Sequence, residues 1–200
     1  QADTVSPHAK ALLPLLTSRA HPADVADQEA LALLRQWDGD ARGDRAAPAI
    51  FEAWFLKLAP ALVGVDLGVR VAECYRGRFS FVTRFLIDTL GTAGTNSPWC
   101  DDVRTRDVRE TCDGATTAAL HEAVVDLTAR LGGDMAHWRW DAVHRAIFPH
   151  QLDSIALLRP LLSRSVPNGG DWSTVNVGVV SADRPYEQRS VAGYREIIDL

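Results

Sequence analysis

The chain has 200 residues, with 21 Lys and Arg against 26 Asp and Glu, for a net charge of −5. An acidic balance of this kind argues against nucleic acid as a partner, because phosphate binding needs a concentrated basic face. No window of about 18 consecutive apolar residues is present, so no membrane span is expected. The basic and apolar regions of a signal peptide are also missing.

In chain order, Ser6-Pro7 reads as an N-cap with Pro at the first helical position, followed by Ala9, Leu12, Leu13 and Leu16 at helical spacing. Pro14 should kink or shorten that helix. Asp24 caps a second helix with Ala30, Leu31, Leu33, Leu34 and Trp37 on its apolar face, and Gly39 is the expected stop. A third helix begins near Ala47-Pro48. Its Ile50, Phe51, Trp54, Phe55, Leu58, Leu62 and Val63 give a wide apolar face, as for a helix buried between neighbours. Val71 to Leu90 reads as helical. Residues 91–114 read as a long polar loop, and Thr116 or Thr117 opens the next helix, which Gly132-Gly133 ends. Trp138, Trp140, Val143 and Ile147 form a compact aromatic segment.

The period then changes. Val166 to Gly170 is turn chemistry. Ser173 to Val180 alternates with Val175, Val177 and Val179 on one face, a strand signal, and Tyr194 to Leu200 alternates again. The expected class is α+β: a mainly helical lobe over 1–165, with a stapled loop near 91–114, then strands over 166–200.

Several chemistries can be set aside. The nucleophile elbow, the P-loop and the dinucleotide glycine pattern are all missing. His121-Glu122 opens like a zinc-protease helix, but position 125 is Val. His137, His144 and His150 lack metal-ligand spacing and are expected at the surface or in hydrogen bonds. Asp38, Asp40 and Asp44 resemble a calcium loop, yet the terminal Glu is missing and Arg42 and Arg45 oppose a cation, so a structural connection is expected. Gln1 cannot act as an N-terminal nucleophile, which requires Ser, Thr or Cys. Trp37 and Trp54 could form a ligand platform, but their helical spacing points to core packing.

Cys100 and Cys112 flank the polar stretch of the long loop. A disulfide between them is its simplest staple, and would place the protein in an oxidising space. Cys74, within a helical run, reads as a small buried residue.

Four stretches together resemble the penicillin acylase (penicillin amidase) family of N-terminal-nucleophile hydrolases: Ala30 to Phe55, Trp138 to His150, Asn168 to Gly178 and Tyr194 to Leu200. They occur in order over nearly the whole chain. The resemblance implies an αββα sandwich with helical excursions and a precursor cut into a small alpha and a larger beta chain. In such a protein an N-terminal Ser attacks an amide carbonyl, while an upstream Asn and backbone N–H groups hold the oxyanion. The chain resembles the later part of the beta chain and looks cut at both ends. Nucleophile, oxyanion Asn and usual calcium ligands are therefore expected before Gln1. No catalytic, cofactor or metal residue is assigned here, and any structural calcium belongs elsewhere in the full enzyme. Asn168 and Asn176 are read as turn and strand residues.

The implied activity is that of a periplasmic or secreted acylase. Its substrates would be N-acylated small molecules: β-lactams, N-acyl homoserine lactones or acylated cyclic peptides. The stapled loop inclines the reading towards aliphatic acyl groups. The implied partners are the remaining segments of the same precursor, and the competing class is a non-enzymatic helical binding or scaffold module.

Overall fold

The structure is a computed structural model that describes residues 3–70, 79–92, 97–102, 104–105, 107–152, 154–180, 184–188 and 190–191. The expectations for Val71 to Gly77, for Cys74 and for the strand Tyr194 to Leu200 lie outside the described residues.

Ser6 starts α1 (Pro7–Arg19), its hydroxyl accepting from the Ala9 amide. Pro14 does not shorten this helix, which runs on for five residues beyond it. The proline sits on the exposed side of the helix. Asp24 caps α2 (Val25–Arg35), accepting from the Ala26 amide. This helix ends at Arg35, ahead of Gly39. Gly39 instead turns the following loop at φ +83°, and Trp37 folds back so that its indole N–H donates to the Asp40 carbonyl.

The middle of the helical layer is α3 (Ala46–Leu67), with Ala49, Ile50, Phe51, Trp54, Phe55 and Leu58 all fully buried. It is long and apolar enough to cross a membrane, but most of that stretch is enclosed by its own neighbours, which marks it as a core helix. On the far side, α4 (Phe79–Thr92) packs against α1.

The helix expected at Thr116 begins earlier, as α5 (Cys112–Leu131). Thr111 is its cap, accepting from the Gly114 amide, so Gly114 lies in the first turn and not in a loop. Gly132, at φ +90°, terminates it. The main contact of α3 is with α5, and the Trp54 indole N–H crosses between them to the Thr116 carbonyl at 2.9 Å. A disulfide joins buried Cys100 to buried Cys112, tying the preceding loop to the first residue of α5.

The aromatic segment resolves into a short helix, α6 (Trp140–Val143), and an unexpected strand, β1 (Arg145–Phe148). After a run of turns and α7 (Arg159–Leu162), β2 (Arg164–Pro167) returns antiparallel to β1, Arg145 opposite Pro167 and Phe148 opposite Arg164. Only Gly178–Val179 of the expected strand Ser173 to Val180 is extended in a ladder. It forms β3, antiparallel to β4 (Ser190–Val191). The alternation is real but inverted: Thr174, Asn176, Gly178 and Val180 are buried, whereas Val175 is 71% exposed. The class is α+β, with a helical layer preceding, among the described residues, two small antiparallel sheets.

The ring closed by Cys100 and Cys112 spans a sequence separation of 12. Its reduction should lower stability by about 3 kcal/mol on the chain-entropy view. Urea melts with and without a thiol reductant measure this, and coincident midpoints would show that the ring restrains nothing.

Candidate functional site

The densest polar chemistry among the described residues lies beneath the turn 168–176. Glycine makes that turn possible. Gly170 is at φ +85°, and a Cβ there would stand 2.1 Å from the Asn176 carbonyl oxygen. At Gly169 a Cβ would meet the Ala41 oxygen and the Gly43 nitrogen, each at 2.9 Å. The backbone therefore runs close enough for the Gly170 amide to donate to the Ala41 carbonyl at 2.7 Å.

Asp171 organises the next residues. Its Oδ1 accepts from the amides of Ser173 and Thr174 and from the Ser173 hydroxyl. The Ser173 Oγ in turn accepts from the His8 amide and lies 3.3 Å from the Ser6 Oγ. Residues at opposite ends of the chain thus share one hydrogen-bonded corner. Asn176 donates through Nδ2 to Asn168 Oδ1 and to the Gly169 carbonyl; Asn168 donates to Gln188 Oε1, and Gln188 Nε2 donates to the Val177 carbonyl. The structure therefore does bring Asn168 and Asn176 together, as braces of a turn.

His144 completes the seam. It is fully buried, stacks on Trp140 at 4.2 Å with 8° between the planes, and holds Nδ1 2.9 Å from the Tyr186 carbonyl. A carbonyl can only accept, so Nδ1 carries the proton, and Nε2 is a buried lone pair without a partner. Burial holds the His144 pKa down at about 4. Burial likewise lowers His8 to about 3; its Nδ1 meets the Thr83 hydroxyl and its ring edge meets Phe55. Tyr186 is in the left-handed region at φ +76°, with its hydroxyl donating to Asp126 Oδ2 at 2.5 Å. Burial also pushes the Glu52 carboxyl well above the usual range, and the nearby Asp171 carboxylate pushes it the same way. Both imidazoles are therefore neutral at pH 7, and burial pushes the Glu52 carboxyl towards its uncharged form.

This arrangement braces the fold, since among the described residues no hydroxyl of the seam is set against a free imidazole lone pair with access to solvent. Outside the seam, His121 Nδ1 meets the buried Asp27 carboxylate at 2.8 Å, beside an open groove of about 490 Å³ that Thr117 and His21 also line. The nearest hydroxyl there, on Thr117, donates to the Asp113 carbonyl. His137 pairs with Asp134 on the surface, and His150 Nδ1 accepts from the Leu152 amide. The loop of Asp38, Asp40 and Asp44 is tied by protein partners. Asp40 accepts from the Thr4 hydroxyl, Asp44 pairs with Arg42, and Asp38 lies 3.8 Å from Arg45. Among the described residues, no three His, Cys, Asp or Glu side chains converge as a metal cage would require. Trp37 and Trp54 are buried in the core and form no open platform.

The sequence reading missed His8, Gln188 and Tyr186. Their partners are more than 40 positions away in the chain for Tyr186 and His144, and 75 for His8 and Thr83. The one local signal was the four-residue spacing of Trp140 and His144, which is the spacing of a stacked pair on a single helical turn.

Two outcomes follow from this geometry. Gly178→Ala would place a Cβ 2.0 Å from Gln188 Nε2 and 2.5 Å from His144 Nε2. It should cost roughly 1–3 kcal/mol, the range for overpacking, and an unchanged melting midpoint would show that the seam yields freely. For pH, the folded-state pKa of His144 lies below the value of 6.5 for a free imidazole. Its contribution to stability is therefore complete above pH 6.5 and is lost as pH falls towards 4. His144→Asn retains a donor for the Tyr186 carbonyl but cannot titrate. Its urea midpoint should fall less between pH 7 and pH 4.5 than that of the parent protein. Equal slopes would remove His144 from the acid response.

The family model for penicillin amidase matches residues 1–200. Acyl-homoserine lactone acylase QuiP of Pseudomonas syringae pv. syringae (strain B728a) is 24% identical over 185 residues, which cover 86% of this chain and 21% of that protein. The chain thus spans about a fifth of the length of this curated relative. With the match running from the first residue to the last, the chain belongs to the penicillin amidase family.

Proposed function

We propose that the chain is the later beta-chain part of a periplasmic or secreted acylase. The full enzyme would hydrolyse the amide bond of N-acylated small molecules through an N-terminal Ser outside residues 1–200. The observation that carries this reading is the full-length match to the penicillin amidase family. Among substrates, an N-acyl homoserine lactone is favoured, because the similar protein bears the name of an acyl-homoserine lactone acylase. β-Lactams and acylated cyclic peptides follow.

In this reading residues 1–165 are a helical lobe, and residues 166–200 supply strands to an αββα core shared with the rest of the precursor. The seam at 168–176 supports that division of labour. It ties the start of α1, the loop at 39–43 and α6 to the segment entering β3, so the lobe and the core strands would move as one body. The buried Cys100–Cys112 disulfide supports an oxidising compartment.

The test is a comparison of two samples. The intact precursor should mature into two chains and release homoserine lactone and fatty acid from an N-acyl homoserine lactone. Residues 1–200 alone should give no turnover above a heat-killed control. Turnover by the isolated segment, or an intact precursor inert towards all three amide classes, would overturn the assignment.

A further inference from the structure

Large apolar side chains are not scattered evenly over this surface. Of fourteen exposed ones among the described residues, seven fall between Phe148 and Val166. Leu157 is 81% exposed and Leu161 66%, with Phe148, Leu152, Ile155 and Val166 all near one half. Single exposed apolar residues are ordinary, whereas a contiguous group marks an interaction surface.

Among the described residues, the segment that carries them has no core of its own. Residues leave on β1 and return on β2, and between these strands the backbone bonds among the described residues are local: Ile155 to Leu152, Leu158 to Ile155, and Leu161 and Leu162 to Leu158. Ala146, at the root, is its buried apolar residue. The arm 145–167 also carries Arg145, Arg159 and Arg164 against Asp153, a basic excess on a chain whose net charge is −5. Arg145 donates to the Ser165 hydroxyl and carbonyl, and Arg164 to the Leu161 carbonyl, so both guanidinium groups are held within the arm.

We infer that the arm 145–167 is a docking element that seats on another segment of the same precursor, at an apolar surface fringed with carboxylates. This rests on the family reading above. The similar acylase has nearly four-fifths of its length outside the aligned region, which is ample polypeptide to cover the arm. Self-association through the arm is disfavoured by charge, because two copies would set arginine-bearing surfaces against each other.

Thiol protection in the full-length protein tests this. Leu157→Cys and Leu161→Cys each exchange an exposed side chain for a smaller one, so neither should disturb folding. Val25→Cys, at an isolated position 77% exposed, is the open control. In the native full chain, the two arm thiols should be alkylated at least tenfold more slowly than in urea, and the Val25→Cys thiol nearly as fast. A photo-crosslinking amino acid in place of Leu157, in a mixture of isotopically light and heavy protein, should give crosslinks within one molecule to peptides outside residues 1–200. Arm thiols as reactive as the control would overturn the proposal. So would light-to-heavy crosslinks, which indicate a second copy, or protection seen only with anionic phospholipid vesicles. Amide hydrolysis measured on the same samples keeps the two readings apart. An inactive protein with a protected arm sinks only the acylase, and an active one with an open arm sinks only the docking element.

Discussion

At Gly170 the carbonyl of Asn176 occupies the place where any other residue would carry its Cβ. That close approach makes a turn in which Asp171, Thr174 and Asn176 point inward, and once polar groups are inside, each needs a partner. The partners come from across the chain. The Asp3 carbonyl takes the Asn176 amide, the Ala41 carbonyl takes the Gly170 amide, and the Trp140 indole N–H reaches the Gly170 carbonyl. A substitution in this turn would thus act on the entry to α1, the loop after α2 and the seat of α6 together.

Much of the helical layer was legible because its signals are local. Ser6 and Asp24 cap the helices they were expected to cap, and the broad apolar face of α3 is buried all round. The misjudged boundaries share a cause, which is that a residue type was taken for its commonest role. Gly114 read as loop, but Thr111 caps the helix before it. Pro14 was expected to kink or shorten its helix, but it sits on the exposed side and α1 runs on to Arg19. Four residues of β1 are too few for a period to declare itself.

The segment Ser173 to Val180 shows what a pattern cannot decide. Alternation states that two faces differ, and the usual inference sends the apolar one inward. Here Thr174 and Asn176 are inside because their hydrogen-bonding partners, Asp171, Asn168 and Gly169, already form a polar floor. Val175 is left outside. Those partners all lie within eight residues, but their spacing does not mark them as a floor, which depends on how the turn folds back on itself. For the same reason the pairing of His144 with Tyr186 was illegible, while the bond between Cys100 and Cys112 was not: two cysteines bracketing a polar loop carry their own partner information.

That bond has a further meaning wherever the chain meets a protease. Between Cys100 and Cys112 the described part of the loop is held largely by exposed polar groups, such as Asp102 with Arg104 and Thr105 with Glu110. A protease that clipped the chain inside this ring would break a peptide bond without releasing a fragment, because the sulfur bridge still joins the two sides. The nick would pass unseen on a non-reducing gel and would leave α5 anchored where it was. The loop can thus absorb backbone damage that would divide the molecule at most other exposed sites.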